Sequence, residues 1–437
     1  MSDKKVSDFR YNTGDVQVPW AAVGENYYAE DILDFVRFLI QGEGSEYDSA
    51  FEKARAGITE LTKHGTPPGK LSLGDNVVAI ENKVDEYLGT KNSTFITNAT
   101  AGFEIAAQFT GLKAGDEVII PAITFIATMA YPLSVGAKVV FADVDLLTLN
   151  MDPADVEKKI TEKTKLIIPV HIGGWPVDMD PIMALAKKHD IVVLEDAAHA
   201  FGAVYKGRKI GTIGDFASFS FHEVKNITSF GEGGIVTCSL PFSNELKKAR
   251  FLGLDSSKKI KNWLYDVTAI KGKYGYFAPG NHSSTEIQAL GLLRQFDRIE
   301  GIIKTRRENA EFLTNKFSKN NAIIPQLLDT ADIKSTYHLY LLQIDPEKAG
   351  GDIQLLKKKL EDRGVTNIPH FAPLYKFEIL KQLGYDVRSI EASCPVTEEA
   401  FNRRFTHLPL YGLNQQQVEL MAEIVLESVS EMQKGIK

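Results

Sequence analysis

Residues 215–234 read "DFASFSFHEVKNITSFGEGG" and crowd aromatics, hydroxyls, one lysine and glycines 231, 233 and 234 into twenty positions. No single rule of helix or strand writing asks for that mixture. Phe216, Phe219 and Phe221 give a strand-like apolar run, which passes into a polar turn carrying His222, Glu223 and Lys225. A glycine-rich bend follows, and then the apolar "IVT". Lys225 is a solvated loop charge, a phosphate clamp or a covalent catalyst, depending on what the chain sets beside it.

Upstream, the chain alternates between two periodicities. "NVVAIENKVDEYLG" carries apolar residues at helical spacing and ends in glycine, a good helix stop. "DEVIIP", "AKVVFADV", "TKLIIPVHI", "IVVLEDA" and "ASFSF" read as strands; "TFIATMAYPLSVG", "DPADVEKKI" and "MDPIMALAKKHD" read as helices between them. Apolar strands separated by helices predict an α/β fold with a mostly parallel sheet covered on both faces. In such a sheet the chemistry gathers beyond the carboxyl ends of the strands. That puts "TNAT", "PAITF", "EDAAH" and "SFHEVK" on one rim.

The texture changes past residue 295. One long charged helix, "RQFDRIEGIIKTRRENAEFLTNKFSK", is followed by fewer strands and helices, as a smaller α+β domain requires. The expected division is residues 1–41 (N-terminal segment and first helix), 42–69 (insertion), 70–295 (large domain) and 296–437 (small C-terminal domain). "ENYYAEDILDFVRFLIQG" and "EYDSAFEKARAGITELTKHG" are expected helices ahead of the main body.

Composition bounds the function. The chain has 437 residues and a net charge of −7, which argues against nucleic-acid and anionic-membrane surfaces. Its two cysteines lack metal or disulfide spacing, and no metal site is expected. The apolar window from Val118 to Phe141 is broken by Pro121, Pro132 and Lys138 and reads as strand–helix–strand, not a membrane span. The opening "MSDKKVSDFRYNTGD" is no signal peptide, so a cytoplasmic enzyme is expected. No G-x-G-x-x-G follows a strand, which disfavours a nicotinamide dehydrogenase.

Asp196 ends a buried strand in "IVVLEDAAHAFGA". A carboxylate there is desolvated and needs a cationic partner, unless it merely caps the next helix. A cofactor with a protonated ring nitrogen would be such a partner, and pyridoxal phosphate calls for an Asp in that role. On the same rim, Lys225 is then a Schiff-base candidate, because a desolvated lysine has a lowered pKa and is nucleophilic. Thr100 and Ala101 open a helix whose free amides can hold a phosphate, as an N-cap would also look. Ser220 offers a hydroxyl from the adjacent strand, and Phe125 either stacks on a pyridine face or joins the core.

The ordered set "GKLSLG…FITNATAG…VIIPAITFIAT…PVHIGGWPVDMD…VLEDAAHAFGA…FSFHEVKNITSFGEGG", with "CPVTEEAFNRRFTHLPLYGLNQQQVELM" near the end, closely resembles the DegT/DnrJ/EryC1/StrS sugar aminotransferases. These are fold-type-I pyridoxal-phosphate enzymes, so the resemblance implies a large domain with a mostly parallel seven-stranded sheet between helices and a smaller C-terminal α+β domain. It implies Lys225 as the Schiff-base lysine and proton shuttle, Asp196 on the pyridine nitrogen and His199 against the ring near its phenolic oxygen. It implies Thr100, Ala101 and Ser220 on the phosphate, Phe125 stacked on the ring, and Asn281 reaching the cofactor phosphate of a neighbouring subunit, hence a homodimer with shared sites. His338, His370 and Tyr375 occupy positions often near the acceptor, though a core or surface role suits each equally.

Related 3-dehydratases carry histidine in place of the lysine, so Lys225 favours amino transfer. Glutamate or glutamine would load the cofactor, giving its pyridoxamine form, and a keto sugar, most readily a nucleotide-linked keto-deoxysugar, would receive the amine. An inosose or keto sugar phosphate acceptor, a dehydratase using the same cofactor, and a non-catalytic cofactor-binding regulator are the alternatives. Three features depart from the family pattern: the insertion at 42–69, which shapes the acceptor pocket or extends the dimer surface; the longer "AIKGKYGYFAPG"; and Ser283 where many relatives have arginine.

Overall fold

The computed structural model describes residues 27–66, 68–255, 260–367 and 371–435. Its main sheet has seven strands: β1 (Thr94–Ile96), β2 (Glu117–Pro121), β3 (Lys138–Ala142), β4 (Thr164–Ile167), β5 (Val192–Asp196), β6 (Phe216–Ser220) and β7 (Gly234–Cys238). They lie in the order β1-β7-β6-β5-β4-β2-β3. β2 to β6 pair in parallel; β7 runs against both β6 and β1, which leaves β1 parallel to β6. The carboxyl ends of β1, β2, β5 and β6 therefore share one rim, as the alternating pattern predicts.

Two cores sandwich this sheet, and the period of two along each strand decides which residue enters which. Ile119, Val193, Ala217 and Ile235 face one core, with the helices Asp75–Leu88 and Glu286–Phe296. Ile120, Leu194, Phe216 and Val236 face the other, with the helix Ala99–Thr110. Continuous apolar strands such as "VVL" are what burial on both faces requires. By the same parity Asp196, Ser218 and Ser220 look toward the Ala99–Thr110 side, and Glu195 looks away from it.

That helix sits unusually close to the sheet. A Cβ on Gly102 would lie 2.1 Å from Ser218 Oγ and 2.8 Å from Ser218 Cβ. A Cβ on Gly234, in β7, would lie 2.5 Å from the carbonyl carbon of Asn98. Glycine at both positions lets the first turn of the helix press onto the strand ends.

Beyond the main sheet, Ile323–Ile324, Tyr340–Ile344 and Phe405–Leu408 form a three-stranded antiparallel sheet. A third core lies between it and the helices Ile299–Phe317, Ile353–Asp362 and Gln415–Lys434. The single long helix expected from "RQFDRIEGIIKTRRENAEFLTNKFSK" is instead two, Glu286–Phe296 and Ile299–Phe317. The second of these spans two cores: Ile299 and Ile303 join Ala289, Leu292 and Phe296 in the main core, while Ala310, Leu313 and Phe317 enter the third. Likewise "TFIATMAYPLSVG" yields only a short helix, Ala127–Ser134, with Pro132 inside it.

The expected helices ahead of the body run Ala29–Leu39 and Ser45–His64. They pack on each other through Phe51, with the Arg37 guanidinium 4.2 Å from its ring centroid.

Candidate active site

The rim carries the site. Asp196 closes β5 with its backbone N–H on Pro169 O at 2.9 Å and its side chain buried. Thr128 Oγ1 donates to Asp196 Oδ2 at 2.9 Å, and the Ala198 amide donates to Oδ1 at 3.2 Å. Burial pushes the Asp196 carboxyl up; the Thr128 hydroxyl, the Ala198 amide and the charge of Lys225 pull it partly back. A carboxylate this dry, with two neutral donors, is suited to receive a cation.

Lys225 stands in a loop closed at its base by Phe221, whose N–H donates to Gly233 O at 2.7 Å and whose carbonyl accepts from Ser229 N at 2.9 Å. The Lys225 amide bonds His222 O at 2.9 Å, and Gly231, at φ +107°, turns the chain back. Glycines 231, 233 and 234 thus have separate jobs: Gly231 turns, Gly233 clears Ser229 and Gly234 clears Asn98. Among the described residues, Lys225 Nζ has no hydrogen bond or ion pair. Burial lowers its pKa from 10.5 to about 8, against the opposing pull of Asp196. The amine and carboxyl therefore influence one another across the rim while each is pushed toward its neutral form.

The phosphate candidates sit at the start of the Ala99–Thr110 helix and at the end of β6. Asn98 is the N-cap, and its Oδ1 takes the Ala101 amide at 3.0 Å. A phosphate here shares or displaces that cap at Ala101, whereas the Thr100 amide has no acceptor among the described residues. Ser220 is buried and receives only a long 3.4 Å contact from the His222 amide, so its hydroxyl is lightly used.

His199 lies three residues past Asp196, packed face to face on His338 (centroids 4.4 Å apart, planes 16° from parallel) and edge-on to Phe371 at 5.4 Å. His338, expected near the acceptor, is buried beneath His199. Tyr375, expected there too, is fully buried: it packs on Phe141 and its hydroxyl donates to Glu398 Oε1 at 2.5 Å, the structural alternative weighed for it. Phe125 stands 60% exposed at the rim beyond β2. Asn281 is exposed, with Oδ1 accepting from Ser283 N at 3.0 Å, and the carbonyl of its neighbour His282 accepts the Thr97 amide at 3.1 Å. His370 lies outside the described residues.

Several supporting residues escape a motif reading. Thr128 positions the Asp196 carboxylate; the signal available was a hydroxyl in "FIAT" on the same rim. Glu195 is fully buried on the opposite face and accepts the amides of Gly211, Ile213 and Gly214 at 2.7–3.0 Å. His171 Nδ1 accepts from Val177 N at 3.0 Å, so the ring proton on Nε2 donates to Glu195 Oε2 at 3.2 Å. Together they brace the turn leading into β6.

A buried Asp at the end of one parallel strand and a pKa-lowered lysine in the loop after the next, on a six-parallel, one-antiparallel sheet, define a fold-type-I pyridoxal-phosphate enzyme. The residues fit that cofactor: among the described residues no cation bonds the carboxyl and no acceptor bonds the amine, and a helix begins on the same rim. The chain belongs to the DegT/DnrJ/EryC1/StrS aminotransferase family, whose match spans residues 53–426. It is 34% identical over 379 residues to the spore coat polysaccharide biosynthesis protein SpsC of Bacillus subtilis, covering 84% of this chain and 92% of SpsC. The PLP-form structure of the putative sugar aminotransferase Spr1654 from Streptococcus pneumoniae is 28% identical, with a TM-score of 0.73, covering 86% of this chain and 96% of that one. Helicobacter pylori PseC, an aminotransferase of pseudoaminic acid biosynthesis, is 26% identical with a TM-score of 0.70, covering 83% and 93%.

Proposed function

We propose that this pyridoxal-phosphate-dependent aminotransferase moves an amino group from glutamate or glutamine to a keto sugar, most readily a nucleotide-linked keto-deoxysugar. The observation that carries the reading is the lowered pKa of Lys225 opposite the buried Asp196. Bound pyridoxal phosphate supplies an electrophilic carbonyl and an electron-withdrawing ring. Lys225 would hold the cofactor by Nζ and would carry a proton at that atom; an amine of pKa about 8 suits taking and returning it near neutral pH. Asp196 keeps the ring nitrogen protonated, and the rigid hold of Thr128 on Oδ2 keeps the carboxylate in place. His199 would lie against the ring, while Thr100, Ala101 and Ser220 would take the phosphate. The acceptor class follows the relatives named for sugar and polysaccharide biosynthesis.

The same reading takes two copies as the working unit, with Asn281 offered to the neighbour's site. Val224 and Phe230, which flank Lys225 in its loop, are about half exposed, as a subunit contact there requires. The test is the half-reaction. Glutamate added to the cofactor-loaded protein should yield 2-oxoglutarate and the pyridoxamine form, and a panel of nucleotide-linked keto sugars should then restore the starting absorption. No 2-oxoglutarate from glutamate together with no 2-oxoglutaramate from glutamine sinks the proposal.

A further inference from the structure

His338 and Asn226 join the second body of the molecule to the catalytic loop. His338 precedes the strand Tyr340–Ile344, and Asn226 is the residue after Lys225. Asn226 Nδ2 donates to Thr336 O at 3.3 Å, which turns its Oδ1 to His338 Nδ1 at 2.9 Å; the ring proton therefore sits on Nδ1 and donates. The same ring lies flat under His199.

The segment that carries it is pinned from several sides. Thr336 Oγ1 donates to His199 O at 2.6 Å, Ser335 Oγ to Gly174 O at 3.0 Å, and the buried Arg306 to His338 O at 3.0 Å. Burial, with the neighbouring His199, Lys225, Arg306 and His407, keeps the His338 imidazole well below its ordinary pKa and so neutral. A solvent-facing substrate ligand needs none of this bracing, and a core histidine needs no partner adjoining the catalytic lysine.

Resting on the assignment of Lys225 above, we infer that His338 is a positioning residue: it orients Asn226, and through it the Lys225 loop, while its face fixes the ring of His199. Its two contacts can be separated. His338→Phe keeps the flat ring and loses the Nδ1 donor; His338→Asn keeps a donor near Nδ1 and loses the ring.

The experiment uses the full chain loaded with pyridoxal phosphate. It records the glutamate half-reaction under single-turnover conditions, and the visible absorption of the bound cofactor against pH. H338F should slow the saturated half-reaction at least tenfold, leave the half-saturating glutamate concentration within twofold, and move the absorption midpoint by at least half a pH unit. H338N should recover the rate to within about threefold of the unaltered protein. Should H338F fold poorly, Asn226→Ala leaves the ring stack untouched and should give the same rate loss and midpoint shift.

A raised half-saturating concentration with the saturated rate kept would make His338 a substrate contact and overturn the inference. Equal losses in H338F and H338N, with an unmoved midpoint, would make it packing alone and overturn it equally. Borohydride reduction separates the underlying reading: cofactor not fixed to the Lys225 peptide in the unaltered protein removes that assignment, and the inference with it.

Discussion

Replacing Lys225 by methionine should stabilise the protein in the absence of cofactor while abolishing covalent capture of pyridoxal phosphate. The magnitude follows from the site. Folding lowers the amine from an ordinary 10.5 to about 8, a shift that already nets the attraction of Asp196 against burial. At about 1.36 kcal/mol per unit, the buried ammonium costs the folded state about 3 kcal/mol. The sign is set by proton counting. Below pH 8 both folded and unfolded chains carry the proton and the cost is complete. Between 8 and 10.5 the unfolded chain binds more protons than the folded one, so stability of the unaltered protein rises with pH. Above 10.5 no cost remains. Methionine has nearly the same length and no charge, so its advantage should be largest at pH 7 and should vanish by about pH 10.5.

Denaturant unfolding of both apoproteins between pH 7 and 10 measures this directly. The rate of capture of added pyridoxal phosphate by the unaltered protein should rise through pH 8 in parallel. At pH 7.5 about a quarter of Lys225 is the free amine, against about one part in a thousand for an ordinary lysine. A K225M protein that is no more stable than its parent, or whose advantage is independent of pH, would refute the argument that Lys225 is held desolvated for nucleophilic work.

Asp196→Asn separates a cofactor partner from a helix cap. Because burial raises this carboxyl, its ionised form destabilises the fold above the ordinary carboxylate pKa near 3.8, so the variant should keep or gain apoprotein stability at pH 7 while the half-reaction slows on the order of 10²-fold or more. A loss of apoprotein stability would favour the cap. Gly234→Ala drives a Cβ to 2.5 Å from Asn98 backbone and should displace the first turn of the Ala99–Thr110 helix, weakening pyridoxamine phosphate binding at least tenfold by equilibrium titration. Gly102→Ala sets helix propensity against packing: alanine alone would add about 1 kcal/mol, but the 2.1 Å approach to Ser218 Oγ should make the variant less stable by about 1–3 kcal/mol in thermal unfolding.

How much of this site is legible in the sequence depends on whether a residue acts through its type or through its surroundings. Strand identity is legible because β5 and β6 are buried on both faces and open on apolar residues, Val192–Leu194 and Phe216–Ala217; the rim follows from their parallel order. Asp196 stands out because a charge at the end of such a run is expensive, and Lys225 because it lies in the polar turn after the next strand on the same rim. The split of the 286–317 helix is not, since each half has a sound helical pattern of its own.

Tyr375 and His338 show what a motif reading leaves out. Both are polar residues in a segment expected near the acceptor, yet the chain spends one on Glu398 inside the core and the other on Asn226 beneath His199. The periodicity of one strand reports how deeply a residue is buried. It does not report which residue completes a hydrogen bond, because that partner can lie 23 residues away, as Glu398 does from Tyr375, or 112, as Asn226 does from His338. Glu195 makes the same point from the other side of the sheet: it is adjacent to Asp196 in sequence and equally buried, but strand parity sends it to the three amides of Gly211, Ile213 and Gly214, where a carboxylate braces backbone instead of meeting a cofactor. Two neighbouring acids thus acquire opposite surroundings from a single alternation, which turns Asp196 toward the Ala99–Thr110 helix and Glu195 away from it.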